Sequence, residues 1–227
     1  MRFRLFAMAL LFAATCFGQD STSLREGWGR IEGVVLDGEG NALGGATITA
    51  WGDTKGVTRP VTQYFANDKG EFAFPYPALD SKVWLLADKK SAGYPYAVSA
   101  FYEVPGQQFP FVAVKAGETT KDVVIRVGPK AAHIKYVVVD DTGQEIRGGF
   151  TLERLDQPER PLLTSEPEDR DLLAPPGCPF RMTFEAKGYK PWHYGGDKWQ
   201  GEEGIISLKP GAVLNLTIHM QRVSDGK

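Results

Sequence analysis

From Arg30 onward, apolar and polar side chains alternate along the chain. Ile31, Gly33 and Val35 fall on one side of an extended backbone and Val34 and Leu36 on the other, as a two-residue side-chain period requires. A stretch dense in Asp, Asn and Gly follows, from Asp37 to Gly45, where glycines permit the positive φ of tight turns. Ala46, Ile48 and Ala50 then alternate with Thr47, Thr49 and Trp51. The pattern predicts strand, turn, strand. Further strands are expected over 61–65, 71–74, 83–87, 96–102, 109–114 and 122–127, with Asn67-Asp68-Lys69-Gly70 closing one turn. After Gly128-Pro129-Lys130-Ala131-Ala132, which reads as a linker, strands are expected over 133–139, 149–152, 172–174, 180–186, 189–194, 205–208 and 213–220. The stretch Leu155 to Asp171 is charged and carries Pro158, Pro161 and Pro167, so it is expected to be an exposed loop or a poor edge and not a long helix. In the mature chain apolar residues nowhere recur at helical spacing for three turns without Gly or Pro, and helix content should be very low.

The second half repeats the design of the first. Val137-Val138-Val139-Asp140-Asp141-Thr142-Gly143 restates the opening strand and turn, Gly188-Tyr189 echoes Gly93-Tyr94, and Lys209-Pro210-Gly211 echoes Lys115-Ala116-Gly117 before a final strand. Ordered correspondences of this kind point to a duplicated unit.

Arg2 and Arg4 ahead of the apolar run Leu5 to Phe17 have the layout of a secretory signal peptide, too short to span a bilayer comfortably. Cleavage is placed after Gly18. The organisation expected is a signal over 1–18, a flexible leader over 19–28, a first sandwich over 29–127, a linker over 128–132, a second, divergent sandwich over 133–222 and a tail over 223–227. Loss of the signal takes the formal charge from −2 to −4 and leaves Cys178 as the one cysteine, so an internal disulfide is excluded. Mild acidity without a basic patch argues against a nucleic-acid partner, and no second apolar stretch could anchor the mature chain. A periplasmic or extracellular monomer is expected.

Gly33, Val35, Asp37, Gly40, Leu43, Gly45, Ala46 and Ile48, followed by Asp68, Gly70, Phe72 and Phe74, resemble the motif of the carboxypeptidase regulatory-like domain. Ala42 stands where that family usually has Pro and Asn67 where it has Thr. The resemblance covers 29–127 well and 133–221 more loosely, where Phe150 takes the place of Ala46. It implies an all-β chain of two tandem transthyretin-like, Ig-like Greek-key β-sandwiches. It also implies that Gly33, Asp37, Gly40, Gly45, Asp68 and Gly70 are structural turn residues. Members serve as accessory domains of peptidases and transporters or in secreted surface proteins, and relatives of the fold bind starch. The role implied is a non-catalytic interaction or accessory module.

Candidate chemistry is sparse. Gly38-x-Gly40-x-x-x-Gly44 is followed by Thr47-Ile48-Thr49, a strand and not the helix that a dinucleotide loop must open. Asp37, Asp68, Asp140 and Asp141 offer one or two carboxylates per turn against the six to eight oxygens of a calcium site, and are read as turn caps. His133, His193 and His219 form no zinc or metalloprotease spacing, and no Gly-x-Ser-x-Gly elbow exists. Glu166, Glu168, Asp169 and Asp171 are read as a solvated charge run. No metal, cofactor or catalytic residue is assigned. Cys178, in a Pro-rich loop without a neighbouring His or Lys cluster, is read as a buried thiol and not a reactive one. The stretch that carries a functional reading is 188–200: Tyr189, Trp192, His193, Tyr194, Asp197 and Trp199 set flat aromatic faces beside polar groups, suited to gripping a peptide or stacking on a sugar. The partner expected is a protein or a polysaccharide. If these residues bind, Trp192 and Trp199 should be exposed; the alternative is a strand of core aromatics.

Overall fold

The computed structural model describes residues 24–54, 57–78, 82–95, 102–165 and 170–223. The expected signal and residues 96–101 of the strand expected over 96–102 lie outside them. Within them the chain is all-β, with only short 3-10 turns such as Lys90–Ala92, Gly196–Lys198 and Glu202–Gly204 between strands.

In the first half these are β1 (Trp28–Leu36), β2 (Thr47–Thr54), β3 (Val57–Phe65), β4 (Glu71–Pro77), β5 (Val83–Asp88), β6 (Gln107–Gln108), β7 (Phe111–Val112) and β8 (Thr119–Val127). They form two four-stranded sheets, ordered β4-β1-β8-β6 and β3-β2-β5-β7. The alternation read from the sequence selects the inward faces: Ile31, Val35 and Ile125 from one sheet meet Ile48, Leu85 and Val112 from the other in a single buried cluster. Removing that surface from water, at about 25 cal/mol per Å², is what holds the layers together. β1 begins at Trp28, inside the expected leader, because its first residues pair with the end of β4.

The second half contains β9 (Ala132–Val139), β10 (Gly149–Arg154), β11 (Leu162–Ser165), β12 (Asp171–Ala174), β13 (Phe180–Glu185), β14 (Trp192–His193) and β15 (Val213–His219). Its sheets are β12-β9-β15 and β11-β10-β13-β14, around a second buried cluster that includes Ile134, Phe150, Phe184 and Ile218. The pairing order of the first half recurs, except that no strand among the described residues stands beside β15 where β6 stands beside β8. β1 is antiparallel to β4 and parallel to β8, and β9 is antiparallel to β12 and parallel to β15. The opening turns match as well: Leu43 N donates to Val35 O as Ile146 N does to Val138 O. Phe150, the second residue of β10, occupies the place of Ile48 in β2 and not that of Ala46, so a ring fills the core where the first half has an aliphatic chain.

Several expected boundaries shift, each for a backbone reason. The strand expected over 109–114 is broken, because Pro110 has no N–H to give a ladder and the chain crosses there from β6 in one sheet to β7 in the other. Pro191 likewise shortens the strand expected over 189–194 to Trp192–His193. Over 205–208 only Ile206 is paired, in an isolated bridge with Phe180. The charged stretch after Leu155 does hold an edge strand, β11, on β10. The linker is no linker in the physical sense: Ala131 and Ala132 are buried, and Ala132 opens β9. Arg154 turns inward with Phe150 and Leu152; its guanidinium holds both Asp156 oxygens and donates to the Glu103 carbonyl, tying the halves together.

Of the residues expected in turns, Gly40, Gly45 and Gly70 hold positive φ of 89°, 67° and 74°. Gly33 lies within β1, not in a turn. Asp37 caps its turn, accepting from the Glu39 and Asn41 amides. In the next turn the cap is Asn67, which accepts from Lys69 and Glu71, and Asp68 is only an exposed turn position.

Candidate functional site

The aromatic stretch 188–199 folds as a short excursion from the second core. Gly188, at φ 86°, turns the chain out of β13, and Lys190 N donates to Gln221 O at 2.8 Å. Pro191 then redirects it, and β14 pairs Trp192 with Phe184 and His193 with Thr183. Beyond β14 a 3-10 turn brings Trp199 back over His193, with ring centroids 4.3 Å apart and planes 10° from parallel. Gly204 lies so close under this turn that a Cβ there would sit 1.9 Å from the Trp199 carbonyl oxygen. Arg181 donates to the Trp199 and Gln200 carbonyls and pins the loop to β13.

These contacts shape a groove of about 480 Å³, the size of a small-ligand site. Trp192, His193, Asp197 and Trp199 line it, so four of the six residues singled out in the sequence come together. Tyr189 and Tyr194 do not. Tyr194 packs on the core, and Tyr189 stands under Arg222 with its hydroxyl toward Asp140. Both tryptophans are half-buried and not exposed as expected of a binding pair: Trp192 packs its inner side on the core, as the strand-of-core-aromatics alternative has it, while its outer side lines the groove. The groove is completed by Lys190, from within the stretch singled out in the sequence, and by His219 and Gln221, which sequence reasoning missed. The alternation of β15 does place His219 on an outward position, but nothing local says that this end of β15 lies beside β14. His193 Nδ1 lies 3.0 Å from Thr183 Oγ1, and among the described residues neither His193 nor His219 is hydrogen-bonded to a carboxylate.

Elsewhere the titratable groups serve the fold. Asp140 is buried and accepts from the Thr142 amide and hydroxyl, the Gln144 amide and Arg222. The Thr142 hydroxyl first, and then the Arg222 guanidinium, hold its carboxyl well below the usual carboxylate range. An unfolded chain returns it to the ordinary value, so the stability it contributes is complete above about pH 5 and is lost as pH falls through the folded value. Asp140→Asn is therefore expected to lower the thermal midpoint at neutral pH and to flatten its decline on acidification toward about pH 3. A decline as steep as in the parent would place that linkage in another carboxylate. Asp171, expected in a solvated run, instead lies in β12 with His133 Nδ1 2.9 Å from its carboxylate. Residues 166–169 lie outside the described residues. Among the described residues no group of three or more His, Cys, Asp and Glu is placed to hold a metal.

Cys178 is free and buried, and burial pushes its thiol up. It is expected to resist a disulfide-exchange reagent in the folded protein and to react fully once unfolded, since the thiolate is the nucleophile. Rapid labelling of the native protein would show the loop opening.

No protein-family profile matches the sequence, and no curated protein matches it. Solved structures show distant likeness. The chain is similar to GBS52, the minor pilin of Streptococcus agalactiae, at 13% identity over 88% of this chain and 98% of that one, with a TM-score of 0.37. It is similar to the shaft pilin SpaA of Lactobacillus rhamnosus GG at 12% identity over 88% and 100%, TM-score 0.33. It is similar to the Bacillus anthracis TIE protein at 13% identity, TM-score 0.32, over 87% of this chain but only 34% of that protein. At such scores these likenesses carry no argument about function, and the fold rests on the chain's own pairing. No helix among the described residues is long and apolar enough to cross a membrane.

Proposed function

We propose that this protein is an exported, non-catalytic interaction module of the cell envelope or secreted fraction. In this reading it comprises two tandem transthyretin-like units of the carboxypeptidase regulatory-like kind, over 29–127 and 133–222, and it contacts its partner through the groove beside β14. Export rests on the apolar run behind Arg2 and Arg4, and the tandem reading on the recurrence of one pairing order around two separate buried clusters. The observation that carries the contact surface is the groove itself. Two tryptophans, Trp192 packed on the core from behind and Trp199 held at its backbone carbonyl by Arg181, share it with the cationic Lys190 and the carboxylate of Asp197. Rigid aromatic faces beside a few polar groups give affinity at low entropic cost. His193 is held by Thr183 and by the Trp199 ring, an arrangement that orients an imidazole as a surface and leaves it without a carboxylate to support general-base work.

The test is retention of envelope proteins and of an arrayed set of glycans by the full chain and by Trp199→Ala. A ligand held by the parent and weakened about tenfold or more by the substitution supports the groove, as expected for an aromatic anchor. Equal retention by both proteins removes it. Signal on glycans alone would turn the reading to carbohydrate binding through the 189–199 loop.

A further inference from the structure

The two halves differ at one place in their otherwise shared pairing. In the first, β8 is covered at its far edge by β6, with Gln107 opposite Val127 and Gln108 opposite Arg126. In the second, the corresponding sheet stops at β15 and has three strands among the described residues, not four. By register against the central strands, Arg126 faces Leu36 as His219 faces Val139, so the place held by β6 falls beside His219. The groove is lined there by His219, Gln221, Trp192 and His193.

The backbone of β15 is presented for pairing. His133 N donates to Ala212 O and Met220 N to Val139 O, so the even-numbered residues direct their amides and carbonyls at β9. The odd-numbered residues face the other way, as Lys190 N on Gln221 O and Val223 N on Gly188 O show. That short ladder ends at Pro191, where the chain leaves for β14. Val213, Asn215, Thr217 and His219 continue the row with no strand opposite them among the described residues. The devices that guard edges are missing from it. β8 has a register shift opposite Ile31 and Gly33, a positive φ at Asp122 and the charges of Lys121 and Asp122, whereas β15 pairs in unbroken register over 213–219 and carries no Lys, Pro, Asp or Glu.

Charge selects the occupant. Lys190 borders the groove, and Lys135 stands opposite Asn215 on the neighbouring strand; both are exposed and neither is paired with a carboxylate among the described residues. The one acid in the groove is Asp197, and Asp171, which lines the face beside β15, is already bonded to His133. We propose that the second half is completed in trans by an extended acidic peptide of a partner protein. The peptide pairs with the free edge of β15 along 213–219, on the side where β6 covers the last two residues of β8 in the first half, and lays its side chains on Trp192 and Trp199. This rests on the groove being the contact surface and adds how the partner is held. Main-chain bonds supply the affinity, and the cations and rings choose the sequence. A second copy is disfavoured because β15 offers no acidic side chain to Lys135 or Lys190.

The test uses the full chain and a soluble octapeptide of alternating Thr and Glu, with its Lys counterpart, followed by amide shifts and hydrogen exchange. Expected is slower exchange at Asn215, Thr217 and His219 with the acidic peptide, and binding at least about tenfold weaker for the Lys peptide, as loss of charge complementarity implies. Thr217→Pro removes one outward donor while leaving the bonds to β9, a position where an edge tolerates proline. It is expected to weaken the peptide about tenfold with the fold kept, as unchanged β9 amide protection would verify. Absence of binding, equal affinity for both peptides or indifference to Thr217→Pro overturns the proposal. If ligands from the array are lost in Trp199→Ala but kept in Thr217→Pro, the groove stands and strand completion falls. Dimerisation abolished by Thr217→Pro without peptide binding would assign the edge to a second copy and also overturn it.

Discussion

Gly33→Val is expected to be the most damaging single substitution in the first half, lowering stability by about 4 kcal/mol or preventing folding, a size reserved for clashes that the surroundings cannot absorb. A Cβ at this position would lie 1.9 Å from the Val123 carbonyl oxygen and 2.7 Å from Phe72 Cζ. The first of these is backbone of the parallel neighbour, so relief requires β1 and β8 to part, and β1 is the strand that also carries β4. Sheet register shifts at this point, between Ile31 and Gly33. The control is Gly149→Val in β10, where the nearest atom to an added Cβ is Thr164 O at 3.4 Å and β-branching suits a strand. That variant should cost no more than about 1 kcal/mol by the usual span of strand preferences. Denaturant unfolding of the two proteins side by side decides it; equal loss would mean that β1 moves freely from β8.

Phe184→Ala is expected to cost about 3 to 5 kcal/mol, the range for deleting a fully buried ring. Phe184 has no exposed surface, stands 4.8 Å from Phe150, and through it reaches the edge-on Tyr136, so the cavity opens in the middle of the second core. Its backbone also pairs with Trp192, so loss of core order is expected to reach the groove. The readouts are the unfolding midpoint and the exposure of tryptophan fluorescence to a neutral quencher. A variant with parental stability would show that neighbouring side chains close the space. A stability loss with Trp192 and Trp199 quenched as before would show that β14 is held by its own hydrogen bonds and by Arg181 alone.

Alternation was enough to read the interior. Ile31 and Val35, Ile48 and Ala50, and Ile134, Tyr136 and Val138 are buried where a two-residue period puts them. Turn chemistry is equally local: Gly40 and Gly45 take positive φ, and Asp37 and Asp140 receive the amides two and four residues on. Strand ends were harder. Trp28 and Ala132 become strand because a partner is present, and Pro110 and Pro191 divide a run of apolar residues between two sheets, neither of which composition reveals. The cap at Asn67 and the pairing of Asp171 with His133 likewise depend on which of two nearby polar groups the backbone turns inward.

The candidate site divides along the same line. Its aromatics are contiguous, so Trp192, His193, Asp197 and Trp199 were visible as a cluster, while Tyr189 and Tyr194 were drawn off to Asp140 and to the core by contacts with residues far along the chain. Sequence alone determined the all-β class, the inward faces and the turns, because alternation and glycine conformation act between neighbours. Tertiary structure decided that His219 and Gln221 share a groove with the tryptophans, that Gly33 lies against Val123, and that β15 stands last in its sheet among the described residues. Those facts depend on which strands lie side by side. Strand order follows from long-range pairing and from the presence or absence of one short segment, and no local side-chain pattern encodes a partner that distant.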